Sequence, residues 1–361
     1  MMQGRAVSSR RGLRTRRRRS SLRSDLTLLA VIGVLLFAAL GAGGMALYQQ
    51  FYSPSAFVHR YLDLLSAGRA ADALQVPGVA VDLTLLQKAG IGNAPSEALL
   101  RSDALASLTD VEITSETQRK GVHEVTVEYR AGGVPGKSTF SVAQDGWIGV
   151  TPNWRFTKSP LAEIELTVRG ADVFAVNGFT MDRRQVSVDG MDARPLDPLP
   201  MLVFTPGTYS VTVDTNIAST AGVRVLADTA LASTPVDVQT EPTEKFTEVV
   251  QQQVEDFLEK CAEKEVLQPT ACPFGLEVQN RIAPDSVPKW SIVTHPDITI
   301  EPDGANWVIP ATKAVAHIDV EIQSLFDGEI AAVSEDVPFE VDGTITVLSD
   351  GTVSIRVGAP Q

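Results

Sequence analysis

Cysteine is nearly absent from this 361-residue chain, which has two, Cys261 and Cys272. Neither has further ligands at metal-site spacing, which excludes a metal module built on them. Histidine is scarce too. His59, His123, His295 and His317 are scattered, so no Ser/His/Asp order with any specificity emerges. The Gly-Lys-Ser/Thr ending of a phosphate-binding loop is missing after Gly132-Gly133, which excludes that nucleotide site. The Asp-Gly steps at 145–146, 189–190, 303–304, 327–328, 342–343 and 350–351 do not belong to a twelve-residue calcium loop and read as turns. Aromatics are few, at 6%, whereas 27 glycines and 21 prolines suit many strands and turns. No cofactor or metal is expected. Charge is the last absence: nothing from Leu26 to Val58 is charged.

What precedes that gap is the opposite. Arg5, Arg10, Arg11, Arg14, Arg16, Arg17, Arg18, Arg19 and Arg23 are opposed by Asp25 alone, so nine less one leaves +8 on residues 1–25. The apolar run Leu26–Tyr48 would form a helix of roughly 34 Å, enough for a hydrocarbon core of about 30 Å. Flanking basic residues stay on the cytoplasmic side. The expectation is therefore a basic cytoplasmic tail (1–25), one transmembrane helix (26–48) and about 310 residues outside, at the cell membrane. Ser9-Arg10-Arg11 with Leu13 also reads as a twin-arginine export signal. Cleavage is disfavoured because the apolar run is long and lacks a clear A-x-A exit. No cysteine follows it, so a lipidated N-terminus is excluded. Arg16, Arg17, Arg18, Arg19 and Arg23 are the candidate topology and lipid-contact residues. Such a segment attracts anionic lipid at about 1 kcal/mol per residue. Gly33, Gly41 and Gly44 suggest weak dimerisation through the span.

Taking +8 from the whole chain's −13 leaves −21 for residues 26–361. So acidic an exported part repels polyanions, and nucleic acid is not an expected partner for it. Two cysteines in an exported region predict one disulfide, Cys261 to Cys272, contributing about 3 kcal/mol in the chain-entropy model.

A serine within Tyr52-Ser53-Pro54-Ser55, followed by Phe57, Tyr61, Leu64 and Leu65, predicts a capped amphipathic helix ending at Gly68. From Thr109 the period changes to two, with Val125, Val127 and Tyr129 alternating and Gly132-Gly133 and Asp145-Gly146 as turns. Helices followed by a sheet predict one α+β domain over 53–158. Residues 159–241 predict a small all-β domain, with a turn at Val176-Asn177-Gly178, a long loop at Asp189–Pro200 and a polar linker at Ser233–Thr243. Residues 242–361 repeat helix then sheet. Thr243 caps Phe246, Val250, Val254, Phe257, Leu258 and Cys261 on one face. Strands follow at Trp290–Val293, Ile298–Ile300, Trp307–Ile309, Ala314–Ile322 and Ile330–Val333, with a hairpin around Ser349-Asp350-Gly351.

The run Phe57-x3-Tyr61-Leu62-x2-Leu65-x-Ala67-Gly68-x4-Ala73-Leu74 resembles the first helices of nuclear transport factor two-like (cystatin-like) domains in exported bacterial proteins. Trp154-Arg155-Phe156 with Ser159-Pro160-Leu161 resembles the end of that module in membrane-anchored envelope proteins of Gram-positive bacteria. A more distant resemblance is to the teicoplanin-resistance-associated surface proteins, whose cysteines before the span are missing here. The resemblance implies a sheet curled around a helix, leaving a conical pocket. The segment with "VNG … PGTYSV" is similar to β-sandwich modules of bacterial surface proteins. The expected class is thus α+β: a single N-terminal transmembrane helix, a cystatin-like α+β domain, a small β-sandwich-like domain and a second α+β domain.

Three functions stay open. One is a non-enzymatic, single-pass, membrane-anchored binding or scaffold protein of the envelope, whose partner is an envelope protein, a wall component or a small ligand. Another is a pocket enzyme of isomerase or hydrolase type in 53–158, with Tyr61 and Tyr129 lining the cone, although no catalytic residue is identified. The third is a transmembrane sensor.

Overall fold

In the computed structural model of the chain, the described residues are 22–80, 83–91, 94–149, 151–348 and 352–358. The side chains at 22–25, 40–47, 49 and 83 also fall outside the description. Arg16, Arg17, Arg18 and Arg19, the side chain of Arg23, and the Ser349-Asp350-Gly351 turn therefore lie outside it.

Among the described residues strands far outweigh helices, so β-structure dominates the architecture. Helix α1 (Leu22–Tyr52) enters the structure first. The expected transmembrane helix is corrected: among the described residues, no helix is long and apolar enough to cross a membrane.

Helix α2 (Pro54–Ser66) starts where Ser53 Oγ accepts the Ala56 N–H at 3.1 Å, with proline in the first turn. Gly68, at φ +69°, ends it. Its buried face is Phe57, Val58, Tyr61, Leu62 and Leu65. Two short helices, α3 (Ala70–Gln75) and α4 (Leu83–Lys88), follow. Strands β1 (Leu108–Arg119), β2 (Val122–Ala131), β3 (Val134–Ile148) and β4 (Thr151–Phe156) then form an antiparallel meander in sequence order. Gly132 and Gly133 both hold positive φ, as the tight β2–β3 turn requires. Asp145-Gly146, expected as a turn, instead lies inside β3, where the ladder slips between Gln144 and Trp147. The extra residue is absorbed as a bulge and the hairpin reverses later.

The cystatin-like reading is corrected along with the span. Among the described residues, aromatic side chains fill the interior between α2 and the meander. Tyr61 stands edge-on to Phe156 at 5.2 Å and to Phe140 at 6.2 Å, and Phe57 lies 5.0 Å from Phe156. Leu161, Leu202 and Phe204 from the next unit close the same core. The resemblance carried a local helix pattern, whereas the filling comes from residues far along the chain.

The middle unit builds two sheets over one core. One sheet joins β5 (Leu161–Arg169) to β8 (Leu199–Phe204), and the other joins β6 (Val173–Val176), β7 (Phe179–Asp182) and β9 (Gly207–Thr212). The two-residue strand β10 (Ala218–Ser219) pairs with β13 (Glu241–Pro242). Strand β11 (Val223–Ala227) extends the β9 side, and β12 (Ser233–Gln239) runs parallel to β5. The segment expected as a polar linker is thus largely an edge strand. Val236 and Val238 are buried, and Pro235 is tolerated because the strand is at an edge. The span expected as a long loop, Asp189–Pro200, holds a single 3₁₀ turn at Gly190–Asp192 before β8 begins.

A single turn, α5 (Arg183–Val186), follows β7, and the longer helix α6 (Glu244–Ala262) is capped by Thr243, whose Oγ1 accepts the Phe246 N–H at 3.2 Å. It buries Phe246, Val250, Val254, Leu258 and Cys261 at helical spacing. The last sheet is organised on β17 (Asn306–Gln323), which pairs with β14 (Arg281–Ile282), β15 (Lys289–Thr294), β16 (Glu301–Asp303) and β18 (Ile330–Val347). Among the described residues, strand β19 (Val353–Gly358) pairs with Asp342–Val347 of β18. Sequence periodicity divided β17 at Pro310, but the strand continues through a slip between Ile309 and Thr312. Ile298 and Ile300 are buried without belonging to a strand.

Candidate functional site

Cys261, at the end of α6, is bonded to Cys272, with their Cα atoms 5.8 Å apart. Lys264 Nζ donates to the Thr270 carbonyl at 2.7 Å inside the closed loop.

The structure does not bring Tyr61 and Tyr129 together in a pocket. Tyr61 is fully buried, and its hydroxyl donates to the Thr205 carbonyl at 2.9 Å. Burial, reinforced by the neighbouring Tyr209 hydroxyl, pushes its pKa well above the ordinary phenol value. Tyr129 forms the floor of a shallow hollow of about 590 Å³ beside Glu128, Lys137 and Asp228. Its hydroxyl is 2.9 Å from Ser138 Oγ, which itself donates to the Asp228 carbonyl at 2.6 Å. Burial pushes Tyr129 up to about 12. A phenol so disposed makes a poor proton carrier near neutral pH.

A second cavity, of about 430 Å³, lies where the middle unit meets the β18–β19 end. Ala171, Val173, Ile217, Val347 and Leu348 form its apolar walls, and Asp172, Asp182 and Arg184 its charges. Arg184 binds Asp182 through Nε at 3.0 Å and Nη2 at 2.7 Å, and its backbone N–H adds a bond of 2.8 Å. Those hydrogen bonds hold the Asp182 carboxyl below the usual carboxylate range. The pair neutralises itself, so the cleft is not an anion clamp.

Register brings together a third group that spacing did not reveal. On β17 and β18, His317 faces Asp336, and Asp319 faces Ser334. His317 Nδ1 is 2.7 Å from Asp336 Oδ1, and Nε2 is 3.1 Å from Ser334 Oγ and 3.5 Å from Asp319 Oδ1. The outline is that of a Ser/His/Asp triad, but a second carboxylate, Asp319, shares it. The Ser334 hydroxyl donates to Asp319, which lowers that carboxyl, and contact with Asp336 first and Asp319 second raises His317. Both carboxylates favour the protonated ring, and the more that form is favoured, the less its lone pair is free to activate serine. The group is a charge cluster on an open sheet face.

The same two strands end in the most exposed apolar feature of the C-terminal half. Phe326 is 99% exposed at the hairpin tip, with Leu325 at 66% beside it. The tip is held in place. Ser324 N–H donates to the Glu329 carbonyl at 2.8 Å, Gly328 N–H to the Ser324 carbonyl at 3.1 Å, and Leu325 N–H to Asn280 Oδ1 at 3.2 Å. Gln323 Nε2 reaches the Gly328 carbonyl at 3.1 Å. Residues 330–341 of β18 have β17 as their only ladder neighbour among the described residues. An ordered aromatic tip thus adjoins an open strand edge carrying Glu329, Glu335 and Asp336.

Comparison with known proteins finds no matching family model, no matching curated protein and no matching solved structure.

Proposed function

We propose that this chain is a non-enzymatic binding or scaffold protein that works outside the cytoplasm, at the cell envelope. The observation that carries the reading is the β17–β18 arm. Aromatic side chains presented on an ordered surface are the usual anchors of protein interfaces. An unpaired strand edge accepts an extended segment of another chain by main-chain pairing. The carboxylates along the arm favour a segment with basic residues. The Cys261–Cys272 bond supports the compartment, since structural disulfides persist where thiols are not kept reduced. The charge cluster at His317 and the buried Tyr61 supply neither an activated nucleophile nor an accessible proton carrier.

A photo-crosslinking phenylalanine analogue at position 326, in cells that make the protein, tests this. The reading expects one discrete protein adduct, weakened by Glu335→Lys with Asp336→Lys. A smear of adducts unaffected by those substitutions, or none, would count against it.

A further inference from the structure

We propose that the tip of the β3–β4 hairpin, Trp147 with Ile148, rests in the headgroup layer of an anionic lipid bilayer beside the end of α1. The inference is independent of the arm. It concerns a contact with the surface of the bilayer, not a crossing.

Trp147 is 63% exposed and Ile148 69%, whereas Trp154, Trp290 and Trp307 are 6%, 7% and 2% exposed. Such a pair is costly to leave in water, yet the tip is built to hold it there. Thr151 Oγ1 donates to the Ile148 carbonyl at 2.8 Å, Asn153 Nδ2 to the Asp145 carbonyl at 3.3 Å, and the bulge between Gln144 and Trp147 re-aims the strand. The tip is also tied to the helix. Trp154 Nε1 donates to the Tyr52 carbonyl at 2.8 Å, and Ile148 and Tyr52 line one hollow of about 310 Å³. Tyr52 stacks obliquely on Tyr48 at 6.4 Å, and both, with Phe51, are exposed.

Lipid, not protein, is the occupant that fits. The aromatic cluster is continuous with α1, whose Leu26, Leu29, Ile32, Leu36 and Phe37 are exposed on more than one face. Trp and Tyr are the side chains enriched at the boundary between hydrocarbon and water. The tail that precedes this helix carries +8 on a chain otherwise at −21, so anionic headgroups meet the basic end and repel the acidic body.

The full chain supplies its own probe, because Trp147 is the one exposed indole. Mixed with vesicles of phosphatidylcholine and phosphatidylglycerol at three to one, it should shift its emission to the blue and lose quenching by acrylamide. Vesicles with brominated acyl chains should quench it, and Trp147→Phe should abolish that response while the rest of the spectrum stays. Trp147→Ser with Ile148→Ser should lower vesicle partitioning about tenfold. Co-sedimentation with vesicles while Trp147 stays open to acrylamide would overturn the proposal, since α1 alone would then explain binding. So would no binding at all. A blue shift that grows with protein concentration in the absence of lipid would assign the patch to a protein partner and overturn it too.

Discussion

The Tyr61 hydroxyl and the Thr205 carbonyl, 144 residues apart, are joined by a buried hydrogen bond of 2.9 Å. The bond links α2 to the β8–β9 connection, and Thr205 Oγ1 in turn donates to the Pro160 carbonyl at 3.0 Å. The first helix unit and the middle sheets therefore share a core. Tyr61→Phe would keep the ring packing but leave the Thr205 carbonyl without its buried donor, costing about 1–3 kcal/mol. Urea unfolding followed by fluorescence should show one cooperative transition with a lowered midpoint. A variant as stable as the parent would remove this link between the units.

Arg183 is the second long-range tie. It is 2% exposed, and Nη1 donates to the Asp197 carbonyl at 2.7 Å while Nη2 reaches the Val168 carbonyl at 3.3 Å. Burial lowers its pKa, and Asp172, Asp197 and Asp182 oppose that shift. The guanidinium thereby holds the segment before β8 against β5. Arg183→Met would leave these carbonyls unpaired and the nearby carboxylates without their cation, lowering stability by about 2–4 kcal/mol. Arg183→Lys should recover little, because an ammonium does not reproduce the forked reach. The check is chemical denaturation of both variants alongside hydrogen exchange of residues 187–198. Wild-type protection there in Arg183→Met would contradict the role.

What was legible in the sequence was local. Thr243 caps its helix as expected, a serine caps the first helix with Ser53 the one that does so, and the buried faces follow the expected positions. The Asn177-Gly178 turn, with φ of 51° and 87°, and the disulfide were also readable from neighbouring residues. The failures lie where distant chain decides. Asp145-Gly146 has turn chemistry, yet β4 pairs past it and converts it to a bulge. Ser233–Gln239 looks like a linker until β5 supplies a parallel neighbour. The cone vanishes because Leu161, Leu202 and Phe204 enter it. The grouping of His317, Ser334 and Asp336 exists only through the β17–β18 register, which no local spacing encodes. The apolar run Leu26–Tyr48 suggests a span, yet among the described residues no helix is long and apolar enough to cross a membrane.

That register-built cluster makes a pH prediction with a definite sign. His317 is raised in the folded protein, by Asp336 first and Asp319 after it. A group whose folded pKa lies above its unfolded value adds stability that is fully present below the unfolded pKa of about 6.5. That contribution is lost as pH rises through the folded pKa. NMR titration should therefore place the His317 midpoint above 6.5, and Asp336→Asn should move it down by removing its leading cause. Ser334→Ala should instead raise the Asp319 carboxyl, whose main depressing contact is that hydroxyl. A His317 midpoint below the free-imidazole value in the parent would mean a neutral ring with a lone pair open towards Ser334. The triad outline on this sheet would then regain the proton direction that hydrolysis requires.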